Sequence, residues 1–241
     1  MRTILTIAGR EFKAYYTSPV GYVVMGCWFL FAGIIFALMM SQPTPTADME
    51  PLFRNCTILL VMVLPLLSMR LLAGERSGDQ GTGTIEILLT SPVSEWQLVL
   101  GKYLAAVGYM FSLVVVSLIY PLTMKALGGK PDMGKIVGGY VGFLLFSGYI
   151  LALGMLFSSL TNSQIVAAIC TIVGALSLWL ISFMSQNPSK LVQFFAWFSM
   201  LSHHEDFWRG VVPFVDVAWF ASFIYFYLFA TKLVMASSRW R

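Results

Sequence analysis

Four consecutive residues, His203, His204, Glu205 and Asp206, carry side chains that bind metals. A metal site on a helix needs donors three or four positions apart, because neighbours diverge by about 100° around the axis. Adjacent histidines fail that test, and the run reads as a polar turn beside Trp208 and Arg209. Cys27, Cys56 and Cys170 are odd in number and lack metal spacing, which leaves them as small packing residues. The stretch 81–86 reads GTGTIE and contains Gly-x-Gly, but no strand precedes it and no second half of a dinucleotide fingerprint follows. Gly-x-x-x-x-Gly-Lys-Ser/Thr is missing from the chain, so any nucleotide chemistry belongs to a separate subunit. No nucleophile motif and no His-Glu helix pair suggests hydrolysis. The expectation is a chain without catalytic residues, bound cofactor or metal.

The elements that hold these residues are mostly apolar. Of 241 residues, 58% are hydrophobic and 11% charged, whereas a soluble domain is about a quarter charged. Such a balance fits a polytopic membrane protein. The net charge of +4 includes no Lys/Arg run, which gives nucleic acid no footprint. No small-residue cleavage site follows the charged start, so no removable signal peptide is expected.

A helix of about 20 apolar residues crosses the hydrocarbon core. Six such runs occur, at 20–40, 56–72, 104–124, 136–160, 165–184 and 212–235. They predict an all-α membrane protein with six transmembrane helices and both termini on one side. Nine Lys and Arg fall on the side of the termini and six on the other, which places both termini in the cytoplasm. Arg70, Lys125 and Lys232 lie near span ends, and no carboxylate sits at a span centre. A proton- or ion-coupled carrier would want one there.

Three features flank or line the spans. In 1–19, Ile4, Ile7, Ala8 and Phe12 fall at helical spacing among Arg2, Arg10, Glu11 and Lys13. That predicts an amphipathic interfacial helix ending at Ser18-Pro19. Residues 187–210 open on Asn187-Pro188 and hold an apolar stretch, 191–201, worth about 16 Å of helix. Too short to cross, it reads as a re-entrant or interfacial segment on the outer side. In the fifth span Ser163, Ala167, Thr171 and Ala175 recur every four residues, and Gly138 with Gly142 and Gly148 with Ala152 do so in the fourth. Such strips admit close helix approach, within the chain or from another chain.

The segment 81–102 is punctuated differently. Gly74, Gly78, Gly81 and Gly83, with Glu75, Arg76 and Asp79 between, are turn material. Ile85, Leu88 and Leu89 then share one helical face, with Glu86 off it. Thr90-Ser91-Pro92 stops this short helix, because the residue before proline avoids the helical region. Ser91 can cap a second helix with Pro92 at its first position and Glu95 in its first turn. That helix carries Trp96 to the interface and runs past Lys102 into the third span. A force on the short helix would pass directly to that span. A coupling element has this geometry, and so does an ordinary interfacial elbow.

The motif Met69-Arg70, Glu75, then Gly83-Thr84-Ile85-Glu86-Ile87-Leu88-Leu89-Thr90-Ser91-Pro92 resembles the cytoplasmic loop of ABC-2 type transporter permeases. The branch it resembles includes gliding-motility and nitrous-oxide-reductase-maturation permeases. The opening REFKAYYTSPVGYV is similar to that family's first helix and span. SHHEDFWRGVVPFVD is similar to its outer loop, with His203, Phe207, Arg209, Gly210 and Asp216 in matching places and a structural role. The connector between Glu75 and Glu86 is a few residues longer than in the family.

The resemblance implies a permease subunit in the bacterial inner membrane that serves a separate cytoplasmic ATPase, which binds ATP and magnesium. It implies that Thr84, Ile85, Glu86, Leu88, Leu89, Thr90 and Pro92 form the ATPase-coupling helix. It also implies pairing with a second permease, identical or related, and the strip from Ser163 to Ala175 is the expected dimer contact. An extracytoplasmic auxiliary protein is a further expected partner, the work done being export or mechanical. A non-transporting anchoring subunit is the principal alternative, and a secondary carrier the third.

Overall fold

The computed structural model describes residues 2–42, 48–76, 94–182 and 197–238, and no strand occurs among them. The first helix, α1, spans Arg2–Thr17, and α2 follows as Pro19–Met40. Ser18 separates them: its hydroxyl accepts from Gly21 N at 3.2 Å, and Pro19 opens α2 where no N–H is needed. Helix α3 spans Glu50–Ser68 and leads into the single turn α4, Ala73–Arg76. It begins six residues earlier than the expected 56–72, since Arg54 is exposed near its end and does not interrupt it.

Helix α5 spans Glu95–Ser117 and α6 spans Ile119–Ala126, nearly in one rod. The cap of α5 is Ser94, whose hydroxyl and the Gln97 side chain form a capping box. This cap falls three residues after the expected Ser91. The join to α6 has a local cause. Pro121 has no N–H to give the Ser117 carbonyl four residues back, and the Tyr140 hydroxyl donates to it instead at 2.8 Å.

Helix α7 is Met133–Leu160, α8 is Gln164–Leu180, α9 is the short Glu205–Trp208 and α10 is Phe214–Ser238. Five stretches are long and apolar enough to cross a membrane: Pro19–Met40, Glu50–Ser68, Glu95–Ala126, Met133–Leu160 and Phe214–Ser237. Gln164–Leu180, where a span over 165–184 is expected, has 17 residues. That amounts to about 26 Å of helix against a hydrocarbon core of about 30 Å.

Helix α7 is the centre of the packing, touching α3, α5, α8, α9 and α10. Its most apolar window is 72% buried, against 17% for α2 at the periphery. Small residues let neighbours approach it: Phe53 lies over Gly139, Phe207 over Gly142 and Ser68 over Gly154. Apolar side chains also cover the outside, including Leu30 and Ile34 on α2, Phe111 and Ile119 on α5 and α6, and Ile165 and Val173 on α8. An outer surface of this kind belongs in lipid.

Candidate coupling site

Residues 77–93, with the whole expected coupling helix from Thr84 to Pro92, lie outside the described residues. Both of their attachment points are described. At the entrance, the chain turns out of α3 into α4 under a buried staple. The Ser158 hydroxyl of α7 accepts from Leu72 N at 3.1 Å and from Ala73 N at 2.8 Å, and donates to Met69 O at 3.0 Å. Ser158 is fully buried, and these three bonds satisfy backbone groups that a helix end leaves open.

At the exit, the Ser94 capping box starts α5, and the Trp96 ring stacks on Tyr225 and lies near Phe229 and Lys232 of α10. Five residues on, α1 is clamped to α5. Ile7 packs where a Cβ on Gly101 would fall, within 2.9 Å, and Phe12 lies against Gly108. Lys102 is 1% exposed and its ammonium reaches the Glu11 carboxylate at 3.5 Å. The Tyr16 hydroxyl bonds to Ser112, and Tyr109 donates to Gly21 O at 2.6 Å across the α1–α2 elbow.

Between entrance and exit lies a cleft of about 210 Å³ lined by Glu11, Tyr15, Arg70, Gly74, Lys102 and Gln164. Burial, reinforced by the Glu11 charge, pushes the Tyr15 phenol up, so it stays neutral. The parts of α1, α3, α5 and α8 that meet here thus form one braced platform beside the two points, at Arg76 and Ser94, where the described chain leaves off and resumes. Sequence reading missed Ser158 and the Glu11–Lys102 pair. Glu11 did leave a signal, because it continues the stripe of Ile4, Ile7 and Ala8 on which a carboxylate is out of place.

The small-residue strip requires a correction. Ala167, Thr171 and Ala175 are fully buried inside the chain, with α8 packed on α3 and α7 and the Thr171 methyl directed at Gly154. Only Ser163, in the turn before α8, is exposed. A second copy has no access to that face. Gly138 and Gly142 are likewise taken up by Gly210 and Phe207 of the same chain.

At the opposite end, four of the five outer-loop residues form a packed corner. His203 Nδ1 meets Asp216 at 2.6 Å, its Nε2 meets the Trp197 carbonyl at 3.0 Å, and its ring stacks on Trp219 at 4.5 Å. Phe207 is buried against Phe220, and Gly210 holds φ +85° against the backbone of Gly134 and Lys135, where a Cβ would not fit. Arg209 points away to Asp206 at 3.7 Å. His204 turns inward, so the two adjacent histidines diverge. Among the described residues no three His, Cys, Asp or Glu gather in a metal-binding group.

His204 Nε2 lies 3.2 Å from the Thr57 hydroxyl, which itself donates to Phe53 O, so the ring must be the donor. Burial pushes its pKa down to about 3, which keeps it neutral in the folded chain. In the unfolded chain an imidazole titrates near 6.5. Its contribution to stability is therefore constant above about pH 6.5 and declines by up to about 1.4 kcal/mol per unit as pH falls towards 3. Thermal unfolding of the detergent-solubilised protein at pH 7.5, 6 and 5 should show this slope. In His204→Gln, which keeps a donor for Thr57, that part of the slope should vanish.

A search of curated proteins gave no match for the chain. The family model for the ABC-2 family transporter protein matches residues 5–214, a region that includes Ser158, Ser94 and the Glu11–Lys102 pair of the platform and, of the outer corner, His203 to Gly210 but not Asp216. Since that match covers most of the sequence, the chain belongs to the ABC-2 transporter family, whose members are membrane permease subunits.

Proposed function

We propose that this permease couples ATP hydrolysis on a separate cytoplasmic ATPase to export or mechanical work, with residues 84–90 as the coupling helix. The observation that carries the reading is the braced platform: 77–93 start at the Ser158 staple and end at the capped α5, both fixed to α7 and α1. A push delivered between two such anchors moves whole helices instead of bending a loop. ATP and magnesium reside on the partner, and the permease contributes no covalent step. In this reading α8 is a sixth, shorter span, α1 lies at the cytoplasmic interface and both termini are cytoplasmic in a bacterial inner membrane. A second permease, identical or related, docks on an outward apolar face instead of the buried strip. Membership of the gliding-motility or nitrous-oxide-maturation branch, with an extracytoplasmic auxiliary partner, is part of the same proposal.

The test is co-purification of the solubilised chain with its candidate ATPase, beside a variant with Ile85, Leu88 and Leu89 changed to Ser. Wild type should retain the ATPase, and the variant should lose at least tenfold of it while keeping its thermal midpoint. Equal retention would move the principal contact elsewhere, and no retention by either would favour an anchoring subunit.

A further inference from the structure

At the end of the bundle opposite the Ser158 staple, a second cleft of about 200 Å³ opens between the start of α3, the end of α8 and α9. Arg54 and Glu205 both line it, yet neither has an ion-pair partner among the described residues, each other included. Two opposite charges thus line one cleft without closing into an ion pair with each other. Trp208, also in the wall, has a buried indole N–H without an acceptor among the described residues. Such an orphaned donor calls for an acceptor.

The outside of α3 continues the site. Arg54, Ile58 and Met62 stand at i, i+4 and i+8 on one face and all three are exposed, Ile58 by 47% and Met62 by 38%. The stripe begins with a cation at the end of the helix and proceeds about 12 Å along apolar side chains towards the middle of the bundle. A free zwitterion would use the two charges and ignore the stripe. An anionic phospholipid would use Arg54 and the stripe but bring its charge towards Glu205.

We propose that this cleft binds a zwitterionic phospholipid with a primary ammonium, its phosphate on Arg54, its ammonium on Glu205 and one chain along Ile58 and Met62. The assignment does not depend on the ATPase reading, since it concerns the other end of the bundle.

Native mass spectrometry of the full chain, released from detergent with added phosphatidylethanolamine or phosphatidylglycerol, reads the occupancy. Phosphatidylethanolamine should bind several-fold more than phosphatidylglycerol. Arg54→Gln should reduce both lipids at least fivefold, whereas Glu205→Gln should remove the preference and leave phosphatidylglycerol binding intact or improved. Met62→Ser should weaken both lipids without altering their ratio. Equal binding of the two lipids by the wild type, or binding indifferent to Arg54→Gln and Glu205→Gln, would overturn the proposal. So would displacement of the lipid by equimolar phosphoethanolamine, which would make the ligand a soluble zwitterion. Should one variant not fold, the wild-type preference and the remaining variants decide.

Discussion

Gly21→Ala is expected to destabilise the protein by about 3 kcal/mol and to free α1 from α5. A Cβ at Gly21 would lie 1.9 Å from the Tyr15 carbonyl oxygen and 2.8 Å from its carbon. Both are backbone atoms, so no rotamer change relieves the clash and the α1–α2 elbow has to open. Opening the elbow also moves the Gly21 carbonyl away from the Tyr109 hydroxyl and disturbs the Tyr15–Tyr109 ring contact. Helix α1 would then lose its register on α5, and the buried Lys102 would lose Glu11. The control is Gly26→Ala on the same helix, where an added Cβ meets nothing within 4 Å. That variant should be neutral or gain about 0.5–1 kcal/mol from helix propensity. Thermal unfolding in detergent reads the difference, and trypsin cleavage at Arg10 and Lys13 reads the release of α1. If the two variants melt within about half a kcal/mol of one another and cleave at equal rates, the elbow is not a brace.

Much of the helical layout was written in hydropathy, because a run of about 20 apolar residues has few other uses. Edges were less legible where a charge sits at a helix end. By hydropathy the second apolar run begins at Cys56, but α3 starts at Glu50, because an exposed charge such as Arg54 in the first turns costs the helix little. The cap of α5 was missed for a related reason. Ser91-Pro92 and Ser94-x-x-Gln97 are both good start signals, and the capping box supplies two reciprocal bonds where a lone cap supplies one. The strip of small residues in α8 had the right physics and the wrong partner, since a second permease was expected there. Small residues at a spacing of four state that something packs closely, and here α3 and α7 of the same chain fill that place. At the coupling platform, the continuous helix past Lys102 could be read directly, whereas Gly74, read as turn material, lies inside α4. The parts that fix it could not, since Ser158 reaches Leu72 and Ala73 across more than eighty positions and no local pattern announces a contact of that range.

Ser158→Ala puts that staple to the test, with an expected loss of about 2–4 kcal/mol. The substitution leaves two buried N–H groups and the Met69 carbonyl without their partner, and each orphaned group costs about 1–3 kcal/mol unless the backbone relaxes. Relaxation is the functional point. Residues 71–73 are fully or almost fully buried, so the corner can regain hydrogen bonds only by peeling away from α7 towards water. The entrance to 77–93 would then yield under load, while the capped exit at Ser94 stays fixed. On the proposed reading, a coupling segment with one loose end would still bind the ATPase but would transmit less movement. The expected phenotype is therefore ATPase retention close to wild type with the fraction of ATP hydrolysis that responds to the permease reduced about fivefold or more. Ser177→Ala is the matched control: its hydroxyl is exposed and bonds back to Val173 O within α8, so its removal should change stability by less than about 0.5 kcal/mol. Loss of ATPase binding in Ser158→Ala would mean that the corner belongs to the docking surface. Unchanged coupling together with the expected loss of stability would confine the staple to folding and place the transmitting contact at the α5 end.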